Sequence, residues 1–452
     1  MLPRRYHYML YTSVILLYII GLFLPNFYLH TLTAGLTILL FVLSVPFATR
    51  LFKILGGVFT TGAAVLMILY PEARSGAFFY VTENLSLLGL LLMLPWMNSV
   101  VRAGKFDKRI NQMLAAEVPH LGSLYDRALV TSYTLVTFIN LSALSLSQDV
   151  LRKNLAGYSE KLQQSFISRT TLRAFAVALC WSPMEILVAI SVDATGISYF
   201  TMLPYLMLVS FLVLTMDGVF GRLRYRSVPY EPLETTKHVQ MSDIVKPILV
   251  LTAALAAFMM LIVVIGNSAG LDFILTVTLV IFPFAFIWSI LMQRRKRFLI
   301  IGFRTWVERT NHMQNFVLLF VSLAFFSSTL NETPVLEQIQ APFLAMEETP
   351  WVVLVMIQLT YLAGSMAGIH PIATIAVLIE AVQPMFDTVN PLSFAIVFVT
   401  GALATAAVGT YGVTVTMTAM NTSQNPYRIT ARNMPFALLY GSTGTIIAVL
   451  LL

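Results

Sequence analysis

Four short polar interruptions of otherwise apolar sequence carry the side chains that could do chemistry. Asn140-Leu141-Ser142 closes an apolar stretch running from Leu129 to Ile139, and Ser145, Ser147, Gln148 and Asp149 extend the polar patch. His370-Pro371-Ile372-Ala373-Thr374 interrupts a second stretch that already contains Gly364 and Gly368. Cys180-Trp181-Ser182-Pro183, followed by Glu185, and Gly409-Thr410-Tyr411-Gly412 break two more. Asn140, Ser142, Ser182, Thr374, Thr410 and Tyr411 offer oxygens suited to a desolvated cation or a substrate hydroxyl, and with His370 they form the expected substrate-binding set. His370 can donate to an anion or exchange a proton near neutral pH. Glu185 and Glu380 are the acids deepest in apolar sequence. Ionisable groups inside a membrane are functional hypotheses by default, so Glu185, His370 and Glu380 form the expected ion-coupling set, for sodium or protons. Each residue also has a plainer role open to it, capping or bracing broken backbone. Paired metal-ligand motifs, phosphate-binding loops and Gly-rich nucleotide loops are absent, and the single cysteine, Cys180, excludes a disulfide framework. No catalytic residue, metal or cofactor is expected beyond a coupling Na+ or H+.

The elements that must position these groups lie in a membrane. Of 452 residues, 58% are hydrophobic and 11% charged, and the mean hydropathy is +0.81. Soluble domains carry about 25% charged residues, so a chain this poor in charge could not cover a water-facing surface. Spans are expected at about 8–24, 28–48, 51–70, 80–100, 168–195, 198–219, 243–266, 271–292, 312–331, 390–419 and 434–452. Each can cross a hydrocarbon core roughly 30 Å thick. Pro25 and Asn26 lead from the first run straight into the second with no small-residue cleavage site, so the first run is expected to be retained. Segments 127–149 and 350–384 stand apart, one turning polar halfway and the other about 35 residues long with a Gly/Pro interruption. If each enters and leaves on one side, eleven spans put the N-terminus in the cytoplasm and the C-terminus outside. Nearly every Lys and Arg then falls inside, from Arg4 and Arg5 to Arg428 and Arg432, and only Arg74 falls outside. The net charge of +7 is therefore a topology signal of a cytoplasmic (inner) membrane protein, with no nucleic-acid partner expected. On this reading no Arg or Lys lies deep in a span. Residues 104–123 place Ile110, Met113, Leu114 and Val118 at helical spacing, as an amphipathic surface helix.

The expected fold class is an all-α polytopic membrane protein of about 11 transmembrane helices plus two re-entrant hairpins in an inverted repeat. Asn140 and His370 are 230 positions apart, Ser182 and Tyr411 are 229, and Pro204 and Pro435 are 231. The segments read as 1–27, an extra span; 28–226, the first repeat with hairpin 127–149 and broken helix 168–195; 227–242, a cytoplasmic linker; and 243–452, the second repeat with hairpin 350–384 and broken helix 390–419. An odd number of crossings per repeat inverts the second copy. Broken helices expose free N–H groups at one half-helix end and free C=O groups at the other, suited to anions and cations respectively.

Over roughly residues 28–452 the chain resembles the ion transporter superfamily, the group that includes the divalent anion/sodium symporters. The resemblance is one of architecture; the tips Asn140-Leu141-Ser142 and His370-Pro371-Ile372-Ala373-Thr374 are not that family's Ser-Asn-Thr motif. It implies a non-enzymatic secondary transporter of a small polar or anionic solute, elevator-like movement of a hairpin domain, and a homodimer in the lipid bilayer. It also implies that Asn140, Ser142, Ser182, His370, Thr374 and Thr410 converge on one central cavity. A flippase for a lipid-linked substrate and a membrane-embedded glycan polymerase or ligase are the competing expectations.

Overall fold

An apolar chain in a bilayer must satisfy its backbone within itself, which leaves helices as the available element for segments of this length. The computed structural model describes residues 6–106, 118–230 and 241–452, and its regular structure is helical apart from one isolated bridge between His120 and Pro229. The helices are α1 (His7–Phe23), α2 (Phe27–Ser44), α3 (Arg50–Leu69), α4 (Ala77–Tyr80), α5 (Leu85–Ala103), α6 (Leu121–Ile139), α7 (Leu141–Asn154), α8 (Glu160–Ala178), α9 (Ile186–Thr195) and α10 (Tyr199–Tyr225). There follow α11 (Met241–Ala269), α12 (Phe273–Leu291), α13 (Arg295–Thr310), α14 (Gln314–Asn331), α15 (Val335–Leu344), α16 (Pro350–Met366), α17 (Pro371–Val382), α18 (Pro391–Ala404), α19 (Val413–Thr422) and α20 (Pro426–Val449). The chain is a polytopic membrane protein.

Among the described residues, seven helical segments are long and apolar enough to cross a bilayer: 27–47, 50–69, 77–103, 199–225, 248–269, 273–291 and 314–331. The expected count of eleven is not reached on length and apolarity alone, and the reasons are local. α1 stops at 17 residues, the expected span 390–419 is split into two short helices, and 168–195 is split into the short α9 and α8, whose 19 residues include Glu160, Lys161, Arg169 and Arg173. α20 is long enough but opens with Arg428, Arg432 and Asn433. α13, carrying Arg295, Lys296, Arg297 and Arg304, was not expected as an element at all. Of the expected surface helix, Ile110, Met113 and Leu114 lie outside the described residues, as does most of the 227–242 linker.

The helices form two compact units, and each draws on both halves of the sequence. Unit 1 holds residues 1–100, 270–345 and 376–384. Its centre is the packing of α3 on α14, where small residues permit close approach: a methyl on Gly62 would sit 3.0 Å from the Phe326 ring, and one on Gly56 3.7 Å from Leu318. Asparagine side chains pin the helix ends, Asn311 accepting from the Tyr8 N–H and Asn315 from the Thr49 N–H, both at 2.8 Å.

Unit 2 holds residues 101–269, 346–375 and 385–452, so the boundary between the units falls inside α17. α18 is its axis, with every residue from Leu392 to Ala404 buried. Gly444 lets α20 close onto Thr400 of α18, because a methyl there would collide with the Thr400 side chain. A helix with no exposed face needs partners all round, and α16, α20, α9 and α10 supply them.

Candidate functional site

Eight of the nine residues singled out by sequence lie in unit 2, on two helix pairs and two breaks. The first pair is α6 and α7, joined by Asn140 alone, which adopts φ 45°, ψ −132°. That region is sparsely populated for a residue with a side chain, and non-Gly residues held there mark strain. The turn is closed by backbone: the Asn140 N–H donates to Val136 O at 2.9 Å, and its carbonyl accepts from Ala143 at 2.8 Å. Neither the Asn140 amide nor the Ser142 hydroxyl has a side-chain hydrogen bond to the described residues, so the capping role is not what occupies them.

The second pair is α16 and α17, joined by residues 367–370 with Gly368 at φ 87°. Gly364, expected at the interruption, lies inside α16, where a methyl would meet Thr374 Oγ1 at 3.3 Å. Thr374 is buried at that crossing. His370 Nδ1 accepts from the Ile372 N–H at 3.3 Å, a bond within the first turn of α17.

Both expected helix breaks are present. Between α8 and α9, residues 179–185 leave the helix; Ser182 is buried, and its hydroxyl accepts from Met184 N–H at 3.4 Å. Glu185 precedes α9 beside the N–H groups of Ile186 and Leu187 without closing a side-chain cap. Between α18 and α19, one 3-10 turn (Thr405–Ala407) gives way to irregular residues 408–412. Thr410 Oγ1 pairs with Thr430 Oγ1 at 2.9 Å, and the exposed Tyr411 shares a 2.6 Å hydrogen bond with Tyr427.

Each helix pair sits on the break that follows it. Trp181 Nε1 donates to Tyr133 OH of α6 at 2.6 Å, and Tyr199 OH donates to the Trp181 carbonyl at 2.5 Å. At the second tip, Gly368 lies against Tyr411, whose ring would stand 3.1 Å from a methyl there. The two halves then meet at Gln148 of α7: its Nε2 donates to Thr171 of α8 (3.0 Å) and Thr418 of α19 (2.8 Å), and its Oε1 accepts from Asn421 (2.9 Å). The contacts thus draw together Tyr411 with the second tip and Trp181 with the first pair. Asn140 and Ser142 are not tied into them by any side-chain hydrogen bond. Glu380 belongs to unit 1: one carboxylate oxygen accepts from Ser327, the other is buried with no partner, and its main-chain carbonyl accepts from Gln340 at 2.9 Å.

One cluster was missed. The sequence reading put no Arg or Lys deep in a span, yet Arg169 and Arg173 lie inside the stretch 168–195 that was expected to cross. The Arg173 side chain is 12% exposed and pairs with Asp217 of α10 at 2.5 Å. Tyr125 OH donates to the other Asp217 oxygen at 2.9 Å, and Arg173 also donates to Asn433 at 2.9 Å and lies over the Phe436 ring. The spacing of Arg169 and Arg173, one helical turn apart within apolar sequence, was the signal available.

No family model matches the chain, and no curated protein matches it by sequence. Among solved structures it is similar to the YdaH transporter of Alcanivorax borkumensis, described as having an unusual topology. The two superpose with a TM-score of 0.60 at 14% identity, covering 88% of this chain and 97% of that one. At this identity the likeness is one of fold: this chain has the fold of a polytopic protein known as a transporter.

Proposed function

We propose that this chain is a secondary active transporter of a small polar or anionic solute, coupled to sodium or protons. The observation that carries the proposal is the seating of each helix pair on its break, Tyr133 on Trp181 and Gly368 against Tyr411. Broken helices present free N–H and C=O groups, which bind ions only where protein or a water-filled cavity covers them. The Asn140 amide and Ser142 hydroxyl, strained or unpartnered at the first turn, are the groups proposed to meet solute, with Ser182, Thr374, Thr410 and Tyr411 lining the same region. His370 joins the solute-binding set at the second tip, and Glu185, His370 and Glu380 form the proposed ion-coupling set. The helix pairs act as re-entrant hairpins of an inverted repeat, and unit 2 is the body that moves by an elevator-type step. The N-terminus is cytoplasmic and the C-terminus extracytoplasmic in the cell membrane, and the chain works as a homodimer. The fold shared with the YdaH transporter supports this reading over a membrane-embedded glycan polymerase or ligase.

A second reading, transport of a lipid-linked substrate, is favoured by one observation: arginines on α8 inside a segment expected to cross. Thermal stability of the purified protein against a panel of small anions, in sodium or in choline, tests the first. Stabilisation by one solute class only in sodium is expected for a sodium symporter, and stabilisation that rises with acidity for a proton symporter. No response to any solute in either cation or at any pH would sink the small-solute reading.

A further inference from the structure

Among the described residues, no carboxylate is hydrogen-bonded to two guanidinium groups of unit 2, those of Arg169 and Arg432. Asp217, the carboxylate of this cluster, is bonded by Arg173 at Oδ1 and by Tyr125 at Oδ2, and it acts on Arg169 through its field alone. Arg173 is likewise satisfied, by Asp217, Asn433 and the main-chain carbonyl of Arg432. One turn earlier on α8, the hydrogen-bond partners of Arg169 among the described residues are neutral, Ser165 Oγ at 3.1 Å and Tyr225 OH at 3.4 Å, and its buried Nε has none among them. Arg432 of α20 has one, Gln424 Oε1 at 2.8 Å. Three guanidinium charges bear on Arg432, those of Arg169, Arg428 and Arg224, and the one group that acts the other way is the Tyr225 phenol. Glu160, in the first turn of α8, is engaged by Gln164.

The surrounding polar groups are fixed in place. Gln424 donates from Nε2 to Thr422 Oγ1 (2.7 Å) and to the Gln164 carbonyl (3.1 Å), which leaves its oxygen turned to Arg432. Ser165 and Tyr225 share a hydrogen bond of 3.1 Å. Partly buried like charges that outnumber their counter-charge, here Arg169, Arg173 and Arg432 against Asp217, are costly. Planar guanidinium forks match the two or three oxygens of a carboxylate or phosphate better than any other side chain does.

We propose that Arg169 and Arg432, framed by Tyr225 and Gln424, form a binding site for a phosphate or carboxylate group. The inference goes beyond the transport reading, because it rests on α8, α10, α20 and the turn that leads into α20, and holds whether the group is carried by a soluble anion or an anionic lipid headgroup.

Calorimetric titration of the full chain in phosphatidylcholine nanodiscs with inorganic phosphate, at fixed ionic strength, tests the soluble source. Saturable binding is expected, about tenfold or more weaker in R169Q and in R432Q, with R432K intermediate. Native mass spectrometry of protein from mixed phosphatidylglycerol and phosphatidylcholine vesicles tests the lipid source. Selective retention of phosphatidylglycerol, lost in the same variants, assigns the site to a headgroup. Absence of both in the wild type, or equal binding in wild type and variants, overturns the proposal. Should R169Q fail to fold, Gln424→Leu removes the group that aims Arg432 without changing charge, and unchanged binding there overturns it equally. Neither assay measures transport, so its failure and the failure of the transport reading are separable.

Discussion

Arg173 Nη1 stands 2.5 Å from Asp217 Oδ1, and this pair joins the first half of a broken helix, α8, to the unbroken α10. With side chains 12% and 3% exposed, the two charges depend on each other. Removing one partner of a buried pair strands the other, at a cost of about 3–5 kcal/mol. Arg173→Met and Asp217→Asn are each expected to lower the unfolding midpoint by an amount of that order. The double variant Arg173→Met/Asp217→Leu should lose less than the sum, because no charge is left unpaired. Additive losses in thermal denaturation would show that the two groups act independently.

Gln148 is the hinge of the polar contact between sequence halves. Its amide serves Thr171, Thr418 and Asn421 at once. Gln148→Leu removes all three bonds from a buried site and leaves polar atoms unanswered, each at about 1–3 kcal/mol. The expected result is a less stable protein whose loss is partly recovered by adding Thr418→Val. Recovery absent from a double-mutant cycle would mean that the bond to Thr418 contributes nothing.

The breaks and turns of unit 2 were legible in sequence because a bilayer punishes unsatisfied backbone. Only Gly, Pro and polar residues are placed where a membrane helix stops, so Asn140, Ser182-Pro183, His370-Pro371 and Gly409–Gly412 stood out. The boundaries were less legible: α6 begins at Leu121 and α7 runs on to Asn154, because helix continues after hydropathy ends. What escaped was the Arg169–Arg173 cluster. Asp217 and Asn433, which hold Arg173, lie 44 and 260 positions away, and a window sliding along the chain does not bring them together. Glu380 escaped differently. Its place in apolar sequence singled it out, but its membership of unit 1 follows from the chain's division inside α17, which no local pattern marks.

Asn140 offers a way to separate a strained turn from a working side chain. At φ 45°, ψ −132° it sits where glycine is at ease and other residues are not. Asn140→Gly is therefore expected to leave stability unchanged or raise it by up to about 1 kcal/mol. If the free amide meets solute, the same variant loses solute-dependent stabilisation. A variant that is stable and still responds fully to solute would assign Asn140 to the turn alone.

Glu380 supplies the last test, and it turns on one oxygen. Ser327 donates to Oε1, while Oε2 is buried and has no partner. A buried acceptor left bare is costly, and a proton on the carboxyl or a cation bound beside it would remove that cost. Glu380→Gln keeps the shape and the acceptor for Ser327 but can neither titrate nor neutralise a cation. If Glu380 is an ion-coupling group, the variant keeps wild-type stability in choline at neutral pH and loses the further stabilisation brought by sodium or by acidification. If Glu380 only anchors α17 to α14, Glu380→Gln behaves as wild type in every cation, and Ser327→Ala is the variant that loosens the helix. Melting curves of the two variants across a sodium series and a pH series distinguish the cases, because anchoring alone gives parallel shifts and coupling changes the slope.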